Sequence, residues 1–195
     1  MKRQELDVKC KRMESVWRKY LSFSESISMM DDIERHLRFQ YPDFFTAPAS
    51  TRFHSNYEGG LFEHSLEVAN SLCELTKRLN LTWSRNESPM IVGLLHDLCK
   101  VDQYKHPDID GKPIVAPCNW VRNENTLFTG HGEKSVMMTA SIIALTEEEA
   151  ACICYHMGAF TDSNLWNNYT RAVNRYPNVL FTHTADMMAT HIAGV

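Results

Sequence analysis

Apolar side chains recur along this chain at helical rather than strand spacing. Met13, Val16, Trp17, Tyr20 and Leu21 alternate with Lys and Arg, which predicts an amphipathic helix over residues 5–21. A second helix fits residues 25–40 and closes before Tyr41-Pro42, because the residue ahead of a proline avoids the helical region. Residues 42–60 read as loop. Leu61, Leu66, Val68, Ala69, Leu72, Cys73, Leu75 and Leu79 then describe a helix with a wide buried face, carrying His64 near its start. Ser88-Pro89 opens the next helix, with Ser88 expected as N-cap and Pro89 as the first helical residue. That helix runs through Met90-Ile91-Val92-Gly93-Leu94-Leu95 and ends in His96-Asp97. Residues 104–130 are rich in turn formers, and Ile114-Val115-Ala116 is expected to pair with Thr126-Leu127-Phe128. Helical patterns resume at 132–145 and 147–157, the latter capped by Thr146 ahead of an acidic first turn, Glu147-Glu148-Glu149. Pro177 starts a last helix holding Asp186. The pattern predicts an all-α helical bundle with a small β-hairpin insertion near residues 112–129.

Charge and cysteine usage narrow the function classes. The 195 residues suit one domain with a real core, and no Pro/Gly/Ser-rich linker divides them. Net charge is −4, yet the first twenty residues carry seven Lys/Arg against three Asp/Glu, so the remainder sums to −8. A long nucleic-acid groove needs a basic stripe that this distribution lacks, and a small phosphorylated substrate, above all a nucleotide, fits better. The six cysteines, Cys10, Cys73, Cys99, Cys118, Cys152 and Cys154, lack disulfide or zinc-finger spacing, which points to a reducing compartment. Cys152 and Cys154 stand two apart on a helix, face roughly opposite ways and read as core thiols. With no apolar leader and no run of about 18 apolar residues, a soluble, cytoplasmic protein without membrane contact is expected. An N-terminal helix with an exposed apolar stripe would also suit a homodimer.

The chemistry centres on His96-Asp97. An imidazole and a carboxylate at the end of so apolar a segment are costly to bury unless something compensates them, and a divalent cation is the simplest compensator. His64 and Asp186 lie on other helices, so tertiary packing must assemble any shared site. Two imidazoles and two carboxylates suit Mn²⁺, Fe²⁺, Co²⁺, Ni²⁺ or Zn²⁺, with Mg²⁺ less favoured by imidazole. Such an ion acidifies bound water and offsets charge on a phosphoryl oxygen. Lys100, three positions after Asp97, is placed either to meet a substrate phosphate or to pair with Asp97. His54, Glu63, Arg122 and Lys134 are further candidates for the pocket wall, and His183, one turn before Asp186, is a competing ligand.

The ordered series His64, His96-Asp97, Asp186 resembles the signature of the HD-domain superfamily of metal-dependent phosphohydrolases, over roughly residues 50–193. Gly60-Leu61-Phe62-Glu63-His64-Ser65-Leu66-Glu67, Leu94-Leu95-His96-Asp97-Leu98-Cys99-Lys100, Gly130-His131 and Tyr155-His156-Met157-Gly158 are similar, in order, to the 3′-to-5′ exoribonuclease type. The resemblance implies a helical HD bundle at 50–193 behind a helical extension at 1–49. It implies that His64, His96, Asp97 and Asp186 hold one ion, with Asp97 bridging to a second held by His131 and His156. Several two-metal members have consecutive histidines where this chain reads His156-Met157, and those exonucleases carry a nucleic-acid-binding module ahead of the domain. The expected activity is hydrolysis of a nucleotide or nucleoside phosphate, with Asp97 and Lys100 as catalytic residues and Lys100, His54, Lys134 and Arg122 contacting substrate. The alternatives are a diesterase or exonuclease acting on cyclic nucleotides or short oligonucleotides, and a non-catalytic nucleotide sensor.

Overall fold

The computed structural model describes residues 1–21, 24–52, 55–110, 112–113, 119–128 and 130–195. It is all-α, apart from two very short antiparallel ladders. Helices α1 (Arg3–Tyr20) and α2 (Ser24–Phe39) lead through a 3₁₀ turn, Pro42–Phe45, to α3 (Gly60–Leu79). Then follow α4 (Ser88–Leu95), a 3₁₀ turn at Leu98–Val101, and the ladder strands β1 (Tyr104–Lys105), β2 (Asp108–Ile109), β3 (Lys112–Pro113) and β4 (Val121–Arg122). Helices α5 (His131–Ala140), α6 (Glu147–Cys154), α7 (Trp166–Arg175) and α8 (Asn178–Met188) complete the chain, the last running into a π-helical turn at Ala189–Ala193.

Helices α3 and α4 are apolar on more than one side because each serves two cores. Leu61, Phe62, Ile91 and Leu94 pack with Met13 and Trp17 of α1, Ile33 and Leu37 of α2, and the Phe44-Phe45 pair. Val68, Leu72 and Val92 pack instead with Cys152 and Ile153 of α6 and Val179 and Ala185 of α8. The apolar stripe of α1 is therefore consumed inside the chain: Cys10, Met13 and Trp17 are buried. Arg12 ties the same helix to α3 through a two-pronged pair with Glu63, so Glu63 is committed there. No helix among the described residues is long and apolar enough to cross a membrane.

Two local expectations are corrected. Ser88 is not an N-cap; it lies within α4 behind Glu87, and its hydroxyl donates to Glu149 at 2.8 Å. Glu149 is fully buried and also accepts from Arg85, so this long-range network outcompetes a local cap for the serine. In the insertion, β1 pairs with β4 and β2 with β3, antiparallel, while residues 126–128 form no strand. The expected partner segment, residues 114–116, lies outside the described residues. Thr146 does cap α6: its Oγ1 accepts from the Glu149 amide at 3.2 Å, and its own amide donates back to the Glu149 carboxylate at 2.9 Å.

Two glycines let the site-bearing helices approach closely. A Cβ on Gly93 of α4 would lie 2.4 Å from Ala69 Cα of α3, and one on Gly132 of α5 would lie 1.9 Å from the Cys154 carbonyl oxygen of α6. The first contact brings the helix of His64 against that of His96, and the second brings His131 toward His156. Gly93→Ala is expected to cost about 1–3 kcal/mol through forced separation of α3 and α4, read as a lowered thermal midpoint. An unchanged midpoint would show that the helices have slack.

Candidate metal centre

Six side chains from five helices converge in the interior. His64 sits in the second turn of α3, Asp186 on α8, and His131 is the first residue of α5. His96 directly follows α4, and His156 lies two residues past the end of α6. The last carbonyls of a helix have no partner within it, and each histidine uses one: His96 Nδ1 donates to the Gly93 carbonyl at 2.8 Å, and His156 Nδ1 to the Ile153 carbonyl at 2.7 Å. His64 Nδ1 likewise donates to the Val195 main-chain oxygen at 3.1 Å. A carbonyl can only accept, so in the neutral imidazole the proton is held on Nδ1 and the Nε2 lone pair faces inward.

Asp97, 2% exposed, stands at the centre. Its Oδ2 lies 3.4 Å from His96 Nε2, 3.7 Å from His64 Nε2 and 2.6 Å from Lys100 Nζ. Its Oδ1 lies 2.7 Å from His131 Nε2 and 3.4 Å from His156 Nε2. Asp186 Oδ1 closes the set at 3.1 Å from His64 Nε2. Among the described residues, three overlapping groups have ligand atoms within 4.8 Å of one another and could hold a metal ion: His64, His96 and Asp97; His96, His156 and Asp186; Asp97, His131 and His156. The carboxylate of Asp97 thus faces two ligand groups with different oxygens. His156 joins His96 and Asp186 as well as His131, a wider role than the resemblance implies.

The protonation states suit a cation. Burial by itself would raise the Asp97 carboxyl, but the Lys100 ammonium with His96 and His131 holds it well below the usual carboxylate range. Asp186 is also held low, because His64, His96 and His156 outweigh its burial. Burial keeps His96 and His131 below the usual imidazole range despite Asp97, whereas for His156 the same carboxylate prevails over burial and draws it upward. His96 Nε2 and His156 Nε2 are buried without a hydrogen-bond partner among the described residues. Inward-facing, unsatisfied nitrogen lone pairs beside two ionised carboxylates are a donor set that fits a borderline divalent cation.

The other expected residues divide. Lys100 pairs with Asp97, so its ammonium is directed at the carboxylate. Arg122 and Lys134 line one cavity together with His131, about 180 Å³ in volume. Lys134 is 7% exposed and its ammonium meets Asp102. His54 lies outside the described residues. Larger surface hollows, such as the one between α1 and α3, contain none of the six clustered residues. His183 joins none of the three ligand groups and instead braces the main chain of His156: its Nδ1 donates to the His156 carbonyl at 2.9 Å. Sequence reasoning missed that role and the His64–Val195 bond, since a main-chain acceptor carries no residue-type signal. It also missed Cys99, whose sulfur lies 3.3 Å from His131 Nδ1. Cys152 is buried and Cys154 half-buried, and neither joins the cluster. No family model, curated protein or solved structure matches this chain.

Proposed function

We propose that this chain is a metal-dependent phosphohydrolase of the HD type, acting on a nucleotide or nucleoside phosphate. The observation that carries the reading is the convergence of His64, His96, His131 and His156 on the two oxygens of Asp97, with Asp186 closing the set against His64. A divalent cation there would supply Lewis acidity toward a phosphoryl oxygen and a water of lowered pKa. His64, His96, Asp186 and Asp97 Oδ2 would hold one ion, and His131 and His156 with Asp97 Oδ1 a second. Mn²⁺, Fe²⁺, Co²⁺, Ni²⁺ and Zn²⁺ match the mixed nitrogen and oxygen donors better than Mg²⁺. The protein's own contribution is orientation: the Nδ1–H bonds aim three imidazoles, and Lys100 keeps Asp97 ionised and fixed.

The setting offers a small cavity beside the cluster. The cavity at His131 is walled by the turn after Asp97, the strand of Arg122 and the start of α5, and its volume of about 180 Å³ falls below the ~300 Å³ at which small-molecule sites usually begin. The deciding experiment incubates the full chain, loaded in turn with each of these ions, with nucleoside mono-, di- and triphosphates, cyclic nucleotides and short oligonucleotides, and identifies the products. Release of orthophosphate from a nucleotide is the expected result. Nucleoside monophosphate from the cyclic or oligomeric substrates would replace it with a diesterase, and nucleotide binding without any product would make the protein a sensor.

A further inference from the structure

We propose that the cavity beside His131 is a second anion subsite, holding a phosphate of the substrate other than the one hydrolysed. The proposal rests on the phosphohydrolase reading and extends it to a substrate class, nucleoside di- or triphosphates. Six lining residues, Gln103, Arg122, Asn123, Thr126, His131 and Lys134, carry polar side chains, most of them with donors, beside the apolar Phe128 and Cys99. His131 belongs both to this wall and to the Asp97 cluster. An oxyanion in the cavity is therefore one side chain away from the reacting centre, as a neighbouring phosphate of a polyphosphate chain must be.

The two cations here are held differently. Lys134 is buried and its ammonium is paired with Asp102 Oδ1, so its charge is already compensated and the free positive charge of the wall falls to Arg122. The Arg122 side chain is 65% exposed, and its nearest ion-pair partner, Glu124, lies 4.0 Å away, beyond hydrogen-bond reach. Its guanidinium thus keeps donors for a ligand, in the fork geometry that suits phosphate. The strand that carries Arg122 is tethered beside the site: the Asn123 amide donates to the Gln103 carbonyl, and Asn123 Nδ2 to the Asp102 carbonyl, both at 2.9 Å. A volume of about 180 Å³ has room for several waters, and so for a tetrahedral oxyanion.

The test titrates the metal-loaded full chain with methylenediphosphonate and, separately, methylphosphonate, following the heat of binding. The diphosphonate is expected to bind the wild type more tightly, and Arg122→Gln to weaken it by about 10- to 100-fold while lowering the ratio of the two affinities. Arg78→Gln, on the exposed end of α3, is the charge-matched control. Equal losses for both ligands, or no loss at all in Arg122→Gln, overturns the subsite. Arg122-dependent binding of the diphosphonate by a protein that cleaves no phosphate ester supports the subsite and overturns the hydrolase reading, so the two failures are distinguishable.

Discussion

Asp97→Asn is expected to abolish the proposed binding of a divalent cation and to lower the proposed phosphate-ester hydrolysis by at least about 10³-fold. The substitution keeps the shape of the side chain but replaces one of two acceptor oxygens with an amide and removes the charge. Both oxygens are in use: Oδ2 faces His64, His96 and Lys100, and Oδ1 faces His131 and His156. The same change leaves the Lys100 ammonium with no carboxylate at its end, and breaking a buried pair from one side typically costs about 3–5 kcal/mol. Stability and metal loss must therefore be separated. Asp97→Asn combined with Lys100→Met is expected to recover much of the lost thermal stability without recovering metal content or turnover, as measured by elemental analysis and orthophosphate release. A double variant that regains the ion would show that Asp97 serves the fold alone.

The legible part of this site was the part written in helix periodicity and residue type. The apolar runs around His64, before His96 and ahead of Asp186 marked helices whose faces had to meet, and the structure brings these side chains together. Helix ends were less legible, because they depend on competing acceptors. The expected helix over 132–145 stops at Ala140, where the Ser141 hydroxyl donates to the Met138 carbonyl and offers the chain a local alternative to the next turn. The helix over 147–157 stops at Cys154, and that early stop frees the Ile153 carbonyl for His156. Helix α7 went unread: its Asn, Tyr, Thr and Val residues are modest helix formers, although Tyr169, Ala172, Val173 and Tyr176 keep helical spacing and pack on the second core. Gly93 and Gly132 were unremarkable as letters; their function appears only where another backbone lies within 3 Å of the missing Cβ.

Removing the proposed divalent cation is expected to lower the thermal midpoint by about 8–16 °C. An ion present at a thousandfold excess over its dissociation constant stabilises the folded state by about 4 kcal/mol, and each kcal/mol moves the midpoint of a chain this long by about 2–4 °C. The size follows from topology. The ligand candidates come from α3, the ends of α4 and α6, the start of α5, and α8, so the two proposed ions, joined through Asp97, would together cross-link five helices that otherwise bring imidazoles and carboxylates together in the interior. A chelator should produce the full shift in the wild type and a smaller one in His96→Ala, because that variant lacks a ligand of the first ion. Acidification should act in the same direction, since an imidazole must lose its proton on the coordinating nitrogen before it can bind. His156, which Asp97 draws upward, takes up a proton at higher pH than His96, which burial holds down. The gap between loaded and stripped midpoints should therefore be fully present near pH 8 and narrow as pH falls through the imidazole range, with the ion content of the protein falling in step. Melting at one temperature with and without chelator, at both pH extremes, would mean that the cluster is held by its own hydrogen bonds and binds no ion.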